Sequence, residues 1–106
     1  MKPDLPPIDI GPDQWEIVRC ILQAHVPQFE VWAFGSRARR QAKTYSDLDL
    51  AVITDQPLSP DVSAGLGHDF AESDLPWKVD VVDWAATRES FRQVIEREKV
   101  VVQHAP

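Results

Sequence analysis

The sequence predicts an α+β (α/β) domain, a small mixed β-sheet flanked by helices in the order α, β, β, α, β, α. Three observations predict it. Apolar residues recur at helical spacing in three stretches, short β-branched and aromatic runs lie between them, and 106 residues suffice for one core but not two. At 43% hydrophobic and 26% charged residues, the composition is that of an ordinary globular chain. One domain over residues 1–106 is therefore expected, with no internal repeat and no linker.

Residues 1–12 read as an extended arm, because Pro3, Pro6, Pro7 and Pro12 block helix and restrict their neighbours. In "DQWE", Asp13 is the expected N-cap and Glu16 the far half of a capping box. The helix that follows carries Ile17, Val18, Ile21, Leu22 and Val26 on one stripe and is closed by Pro27. "FEVWAF" (Phe29 to Phe34) predicts a strand that stops at Gly35, and "SDLDLAVIT" (Ser46 to Thr54) a second. Between them, residues 36–43 hold five basic or amide side chains, suited to a turn or short helix. Ser59 and Pro60 form an N-cap and first-turn pair opening a helix to about Glu72, which Gly65 and Gly67 weaken. "WKVDVVDW" (Trp77 to Trp84) is a third strand. A last helix from about Arg88 to Glu98 turns Phe91, Val94 and Ile95 inward, and "VVVQ" can add a short strand.

Bulk properties exclude several functions. A formal charge of -6 opposes a sequence-independent grip on nucleic acid, which needs a basic surface, but leaves room for local handling of a nucleotide's phosphates. The proline- and acid-bearing N-terminus does not fit a signal peptide, and no stretch approaches membrane-spanning length, so a cytoplasmic protein is expected. Cys20 stands alone, which removes disulfide and cysteine-metal chemistry and suits a small buried hydrophobe. His25, His68 and His104 lack metal-ligand spacing and read as surface or capping residues. The tryptophans at 15, 32, 77 and 84 read as core or interface anchors, with one of them open to a protein partner.

The chemistry concentrates in "FGSRARRQAKTYSDLDLAVI". Alternation on a strand points Asp47 and Asp49 to one face, with Cα atoms roughly 6.5 to 7 Å apart, and buries Leu48, Leu50 and Val52 on the other. Two carboxylates so placed repel and raise each other's pKa unless a cation compensates. A hard divalent ion does so, since Mg²⁺ takes oxygen ligands and is held by one or two carboxylates plus substrate phosphates. The alternative is a solvated edge that discourages aggregation. An EF-hand fits poorly, because Ala51 occupies the third ligand position. Gly35-Ser36 ends a strand, where free backbone N–H groups can approach a phosphate, or where a turn merely closes. Asp80 lies among valines, where a carboxylate is costly unless paired or coordinated. Asp83 faces the other way at the strand end and suits a solvated role.

Taken together, Phe34-Gly35-Ser36, then Asp47-Leu48-Asp49 after about ten residues, then Asp80 on a later strand, resemble the pattern of the DNA polymerase β-like nucleotidyltransferase superfamily. Within it the chain is similar to the minimal single-domain nucleotidyltransferases of prokaryotes, of the antitoxin type, from the first helix to "VIEREKVVV". The resemblance implies the nucleotidyltransferase fold and transfer of a nucleoside monophosphate, AMP in the first instance, from ATP or another nucleoside triphosphate to a hydroxyl. Asp47, Asp49 and Asp80 would ligate Mg²⁺, as two ions, and serve catalysis. Gly35, Ser36, Arg37 and Ser46 would hold the nucleotide, and Arg39, Arg40 and Lys43 would be free to meet phosphates or solvent. A helical HEPN-type toxin would be the partner and acceptor. The alternatives are a module of the same fold that neutralises its partner by contact alone, and an enzyme acting on a small molecule, for which a homodimer would have to build the acceptor site. The chain departs from the usual Gly-Ser-Arg-Ala-Arg-Gly at Arg40; if that Gly serves a positive φ, Arg40 strains the turn by about 1 kcal/mol.

Overall fold

In the computed structural model, which describes residues 5–106, the stripe on the first helix packs Trp15, Val18 and Leu22 against one face of a four-stranded sheet. That helix, α1, spans Pro12–His25, and its N-cap is Gly11 rather than Asp13. Pro12 is the reason: its fixed φ and missing N–H suit the first helical position, so the helix begins before Asp13. The far half of the cap is Gln14 instead of Glu16, and its Oε1 accepts from the Gly11 N–H at 2.8 Å.

The strands are β1 (Glu30–Phe34), β2 (Leu48–Ile53), β3 (Val79–Asp83) and β4 (Val100–Gln103), in the spatial order β3-β2-β1-β4. Strand β1 runs antiparallel to both β2 and β4, whereas β2 and β3 are parallel. A parallel pair needs a crossover, and helix α2 (Pro60–Ala71) supplies it. Ser59 caps α2 as expected, its hydroxyl accepting from the Val62 N–H at 3.3 Å. A single 3₁₀ turn, Trp84–Ala86, which the sequence did not signal, leads from β3 to helix α3 (Glu89–Glu98).

The two faces of the sheet differ. Val31, Ala33, Leu48, Leu50 and Val52 meet α1 and α2 in a closed core with Leu66, Phe70 and Trp77. On the other face Trp32, Phe34, Ala51 and Ile95 form a smaller cluster beneath α3. Phe91, expected inward, is 38% exposed, although its ring meets Phe34 edge-on with centroids 5.6 Å apart.

Further expectations change. Residues 1–4 of the arm lie outside the described residues, but Ile8 of the same arm is fully buried in the main core. Cys20 is exposed, because it falls between the apolar positions of α1 and not on them. Asp83 is half-buried rather than solvated; its carboxylate accepts from the Thr54 hydroxyl and, at 2.6 Å, from the Leu58 N–H, closing the segment after β2. His25 binds Asp69 at 2.6 Å, joining α1 to α2. Among the described residues no helix is long and apolar enough to cross a membrane.

Candidate active site

Strand alternation sets the site. Leu48 and Leu50 point into the main core, so Asp49 between them must leave by the other face. In the β-ladder Asp49 is opposite Phe34 on one side and opposite Asp80 on the other. Paired residues of neighbouring strands share a face at about 4.8 Å, so Asp49 and Asp80 are brought side by side. Asp47 lies just before β2, exposed at its mouth, instead of on the strand as expected. An open cleft of about 540 Å³ is lined by Phe34, Gly35, Asp49, Asp80, Phe91 and Glu98, among others.

Gly35 is fixed by two demands. Its φ is 78°, in the left-handed region, and a Cβ there would overlap Asp49 Oδ2. The turn after it is one helical coil: the Arg39 N–H donates to the Gly35 carbonyl at 3.1 Å and the Gln41 N–H to the Ser36 carbonyl at 2.9 Å. The second bond closes the coil as a Schellman cap does, with Arg40 in the left-handed position at φ 56°. The conformation for which a glycine is usual is thus present here with an arginine, whose Nη2 donates to the Pro6 carbonyl at 2.9 Å.

Arg37, expected at the nucleotide, is bonded to the chain's own backbone. It is buried, its Nε donates to the Ser46 carbonyl at 2.8 Å, Nη1 to the Asp9 carbonyl at 2.9 Å, and Nη2 to the Thr44 and Lys43 carbonyls at 3.2 and 3.3 Å. Its guanidinium stacks 4.4 Å above the Trp77 ring. Burial pushes its pKa down from the usual guanidinium value, opposed by Asp9 and Asp47. Arg37 therefore ties the arm to the segment leading into β2 and sets where Asp47 emerges. Ser46 belongs to the same segment: its Oγ accepts from the Lys43 N–H at 2.9 Å.

Glu98, at the end of α3, is the cleft residue that the sequence reading passed over. Its Oε1 accepts from the Gly35 N–H at 3.0 Å and its Oε2 lies 3.4 Å from Arg39 Nη1. As a polar residue in a helix's last turn it gave no signal; only packing brings it to Gly35.

Electrostatics mark Asp49. Burial first, then Asp80, Asp47 and Glu98, push its pKa above the usual carboxylate value. Lys78 Nζ is 3.9 Å from Asp80 Oδ1, but that pair is largely in solvent and offsets little of the charge. In kind, these donors fit a hard divalent cation: they are carboxylate oxygens whose mutual repulsion a cation would relieve. In arrangement they stop short of the expected trio, since among the described residues no three His, Cys, Asp or Glu side chains are gathered closely enough to hold an ion as they stand. Asp49 and Asp80 are the adjacent pair, and Asp47, exposed just before β2, is near enough to add to the charge felt by Asp49.

The sequence model of the family described as "Polymerase beta, Nucleotidyltransferase" matches residues 18–105. A Haemophilus influenzae protein named "Probable protein adenylyltransferase MntA" is 51% identical over 96 residues, which are 91% of this chain and 84% of that protein. Among solved structures, a toxin–antitoxin with AMP-PNP superposes with a TM-score of 0.72 at 22% identity, over 86% of this chain and 73% of that one. The complex of a tri-AMPylated Shewanella oneidensis HEPN toxin with its MNT antitoxin gives 0.65 at 21% identity, over 86% and 70%. At these identities the solved structures establish the fold.

Proposed function

Because the chain belongs to the polymerase β nucleotidyltransferase family, we propose that it transfers AMP from ATP to a hydroxyl group on a helical HEPN-type toxin, and so silences that toxin. The observation that carries this is the placement of Asp49 opposite Asp80 beside the Gly35 corner, in one cleft on the less covered face of the sheet. Two relatives point to AMP and to the toxin: the Haemophilus protein is named an adenylyltransferase, and one solved antitoxin of this fold accompanies a tri-AMPylated toxin.

In this reading the acceptor oxygen attacks the α-phosphorus, a P–O bond forms, the bond to the β-phosphate breaks, and pyrophosphate leaves. Asp80, half-exposed at the cleft, takes the acceptor's proton. Asp49 and Asp80, with Asp47 at the mouth, are the residues that would hold Mg²⁺, as one ion or a pair. When bound, the metal neutralises the triphosphate and the departing pyrophosphate. The Gly35 N–H, which donates to Glu98 in the nucleotide-free chain, and the Ser36 hydroxyl would serve the phosphates, and Arg39 adds a half-exposed cation beside Gly35. Arg37 acts on the site only by positioning the segment before β2.

Intact-mass analysis of the toxin after incubation with the protein, ATP and Mg²⁺ tests the reading. Addition of one or more adenylyl groups is expected. Inhibition of the toxin without any added mass would instead make this chain a module that works by contact.

A further inference from the structure

We propose that Glu98 competes with the nucleotide's triphosphate for the Gly35 N–H and so sets how tightly the site holds a nucleotide. The inference rests on the reading of the cleft as a triphosphate site and adds a residue that this reading does not use. Both carboxylate oxygens of Glu98 are committed to donors an anion would seek: Oε1 to the Gly35 N–H at 3.0 Å, and Oε2 to Arg39 at 3.4 Å. The Gly35 N–H faces this corner, as its bond to Glu98 shows, and no side chain of its own screens it. A phosphate oxygen and Glu98 cannot both take that single hydrogen.

Glu98 is also held against opposition. It lines the same cleft as Asp49 and Asp80, and its charge is among those that push the Asp49 pKa up. Its seat combines one charge-assisted hydrogen bond and one half-exposed ion pair with like-charge repulsion from across the cleft. Such a carboxylate is displaced readily by a better-charged anion that brings its own cation. It leaves as a side-chain rotation from the last turn of α3, with no movement of the sheet. The consequence is discrimination by phosphate content: a ligand must carry a phosphate to displace Glu98, so a nucleoside alone gains nothing from the corner.

Binding of a non-hydrolysable ATP analogue and of adenosine, each with Mg²⁺, is measured calorimetrically for the wild-type chain, Glu98→Ala and Glu98→Gln. Glu98→Ala frees the N–H and is expected to tighten the ATP analogue about tenfold, the equivalent of one hydrogen bond to a charged group less its partial replacement by water. Glu98→Gln keeps an acceptor for the N–H while losing the charge, so it falls between the other two. Adenosine binding stays unchanged. Equal affinities for the two variants would assign the effect to charge alone and overturn the competition, as would an unchanged or weaker affinity in Glu98→Ala. Should Glu98→Ala unfold, Glu98→Ser, too short to reach the Gly35 N–H, takes its place beside Glu98→Gln, and equal affinities of those two, or no tightening in Glu98→Ser, is the contrary result. Failure of the underlying reading looks different: the wild-type chain then binds no triphosphate at all.

Discussion

Asp49 bears the charge conflict of the site, and its pH dependence has a definite sign. Its folded-state pKa is raised above the usual 3.8, so the folded chain holds a proton that the unfolded chain releases. That contribution to stability is present below the usual value and is lost as pH rises through the raised one. Without divalent cation, Asp49→Asn should therefore melt higher than wild type near neutral pH, with the difference vanishing below pH 3.8; thermal unfolding followed by circular dichroism measures it. Added Mg²⁺ should narrow the gap at neutral pH by stabilising wild type alone. Arg40 gives a second residue-scale prediction. At φ 56° it spends about 1 kcal/mol on the left-handed conformation, and its bond to Pro6 is exposed. Arg40→Gly should raise stability by about 0.5–1 kcal/mol in urea titration. That Asp49 leaves the face of Leu48 and Leu50 was legible, because strand alternation is a local property, and the strain at Arg40 was signalled by the glycine usual at that place in the motif. Arg37 was not: its partners are carbonyls of residues 9, 43, 44 and 46, and which backbone groups converge on a guanidinium is decided by the fold.

Elements were legible from their apolar spacing, while their ends answered to single residues. Pro12 started α1 ahead of the acidic residue that looked like its cap, and Asp47 fell outside β2 because the ladder with β3 begins at Leu48 opposite Val79. The loop from Gly35 to Asp47 is the element on which the site depends. Arg37→Ala would strip four backbone carbonyls of their donor and is expected to cost about 3–5 kcal/mol by denaturant unfolding, with transfer lost at any temperature that frees Asp47. Arg37→Lys should not rescue it, since an ammonium cannot reproduce the planar fork. The two glycines of α2 separate two causes of the same sequence feature. A Cβ at Gly67 meets nothing within 4 Å, whereas at Gly65 it would stand 3.0 Å from His25 Cε1. Gly67→Ala should stabilise by about 0.5–1 kcal/mol, and Gly65→Ala should gain less or lose, because His25 must shift from Asp69. Sequence alone treats both as helix breakers; the crossing of α1 over α2 tells them apart.

At the scale of the molecule, function follows from an asymmetry between the sheet's faces. One is closed by two helices and carries most of the core; the other is covered by α3 over its aromatic patch and left open where Asp49 and Asp80 emerge. The α+β class and the mixed sheet were legible. The placing of β4 beside β1 and the parallel pairing of β2 with β3 were not, since pairing between distant strands leaves no local trace. That pairing is what brings Asp80 to Asp49, so the site was readable as three acids but not as a place. The most direct measurement is transfer of α-phosphate label from ATP to the toxin by wild type and by Asp49→Asn in parallel, with circular dichroism verifying that both are folded. Label on the toxin with wild type and none above background with the variant is the predicted result; equal labelling by a folded Asp49→Asn would contradict it.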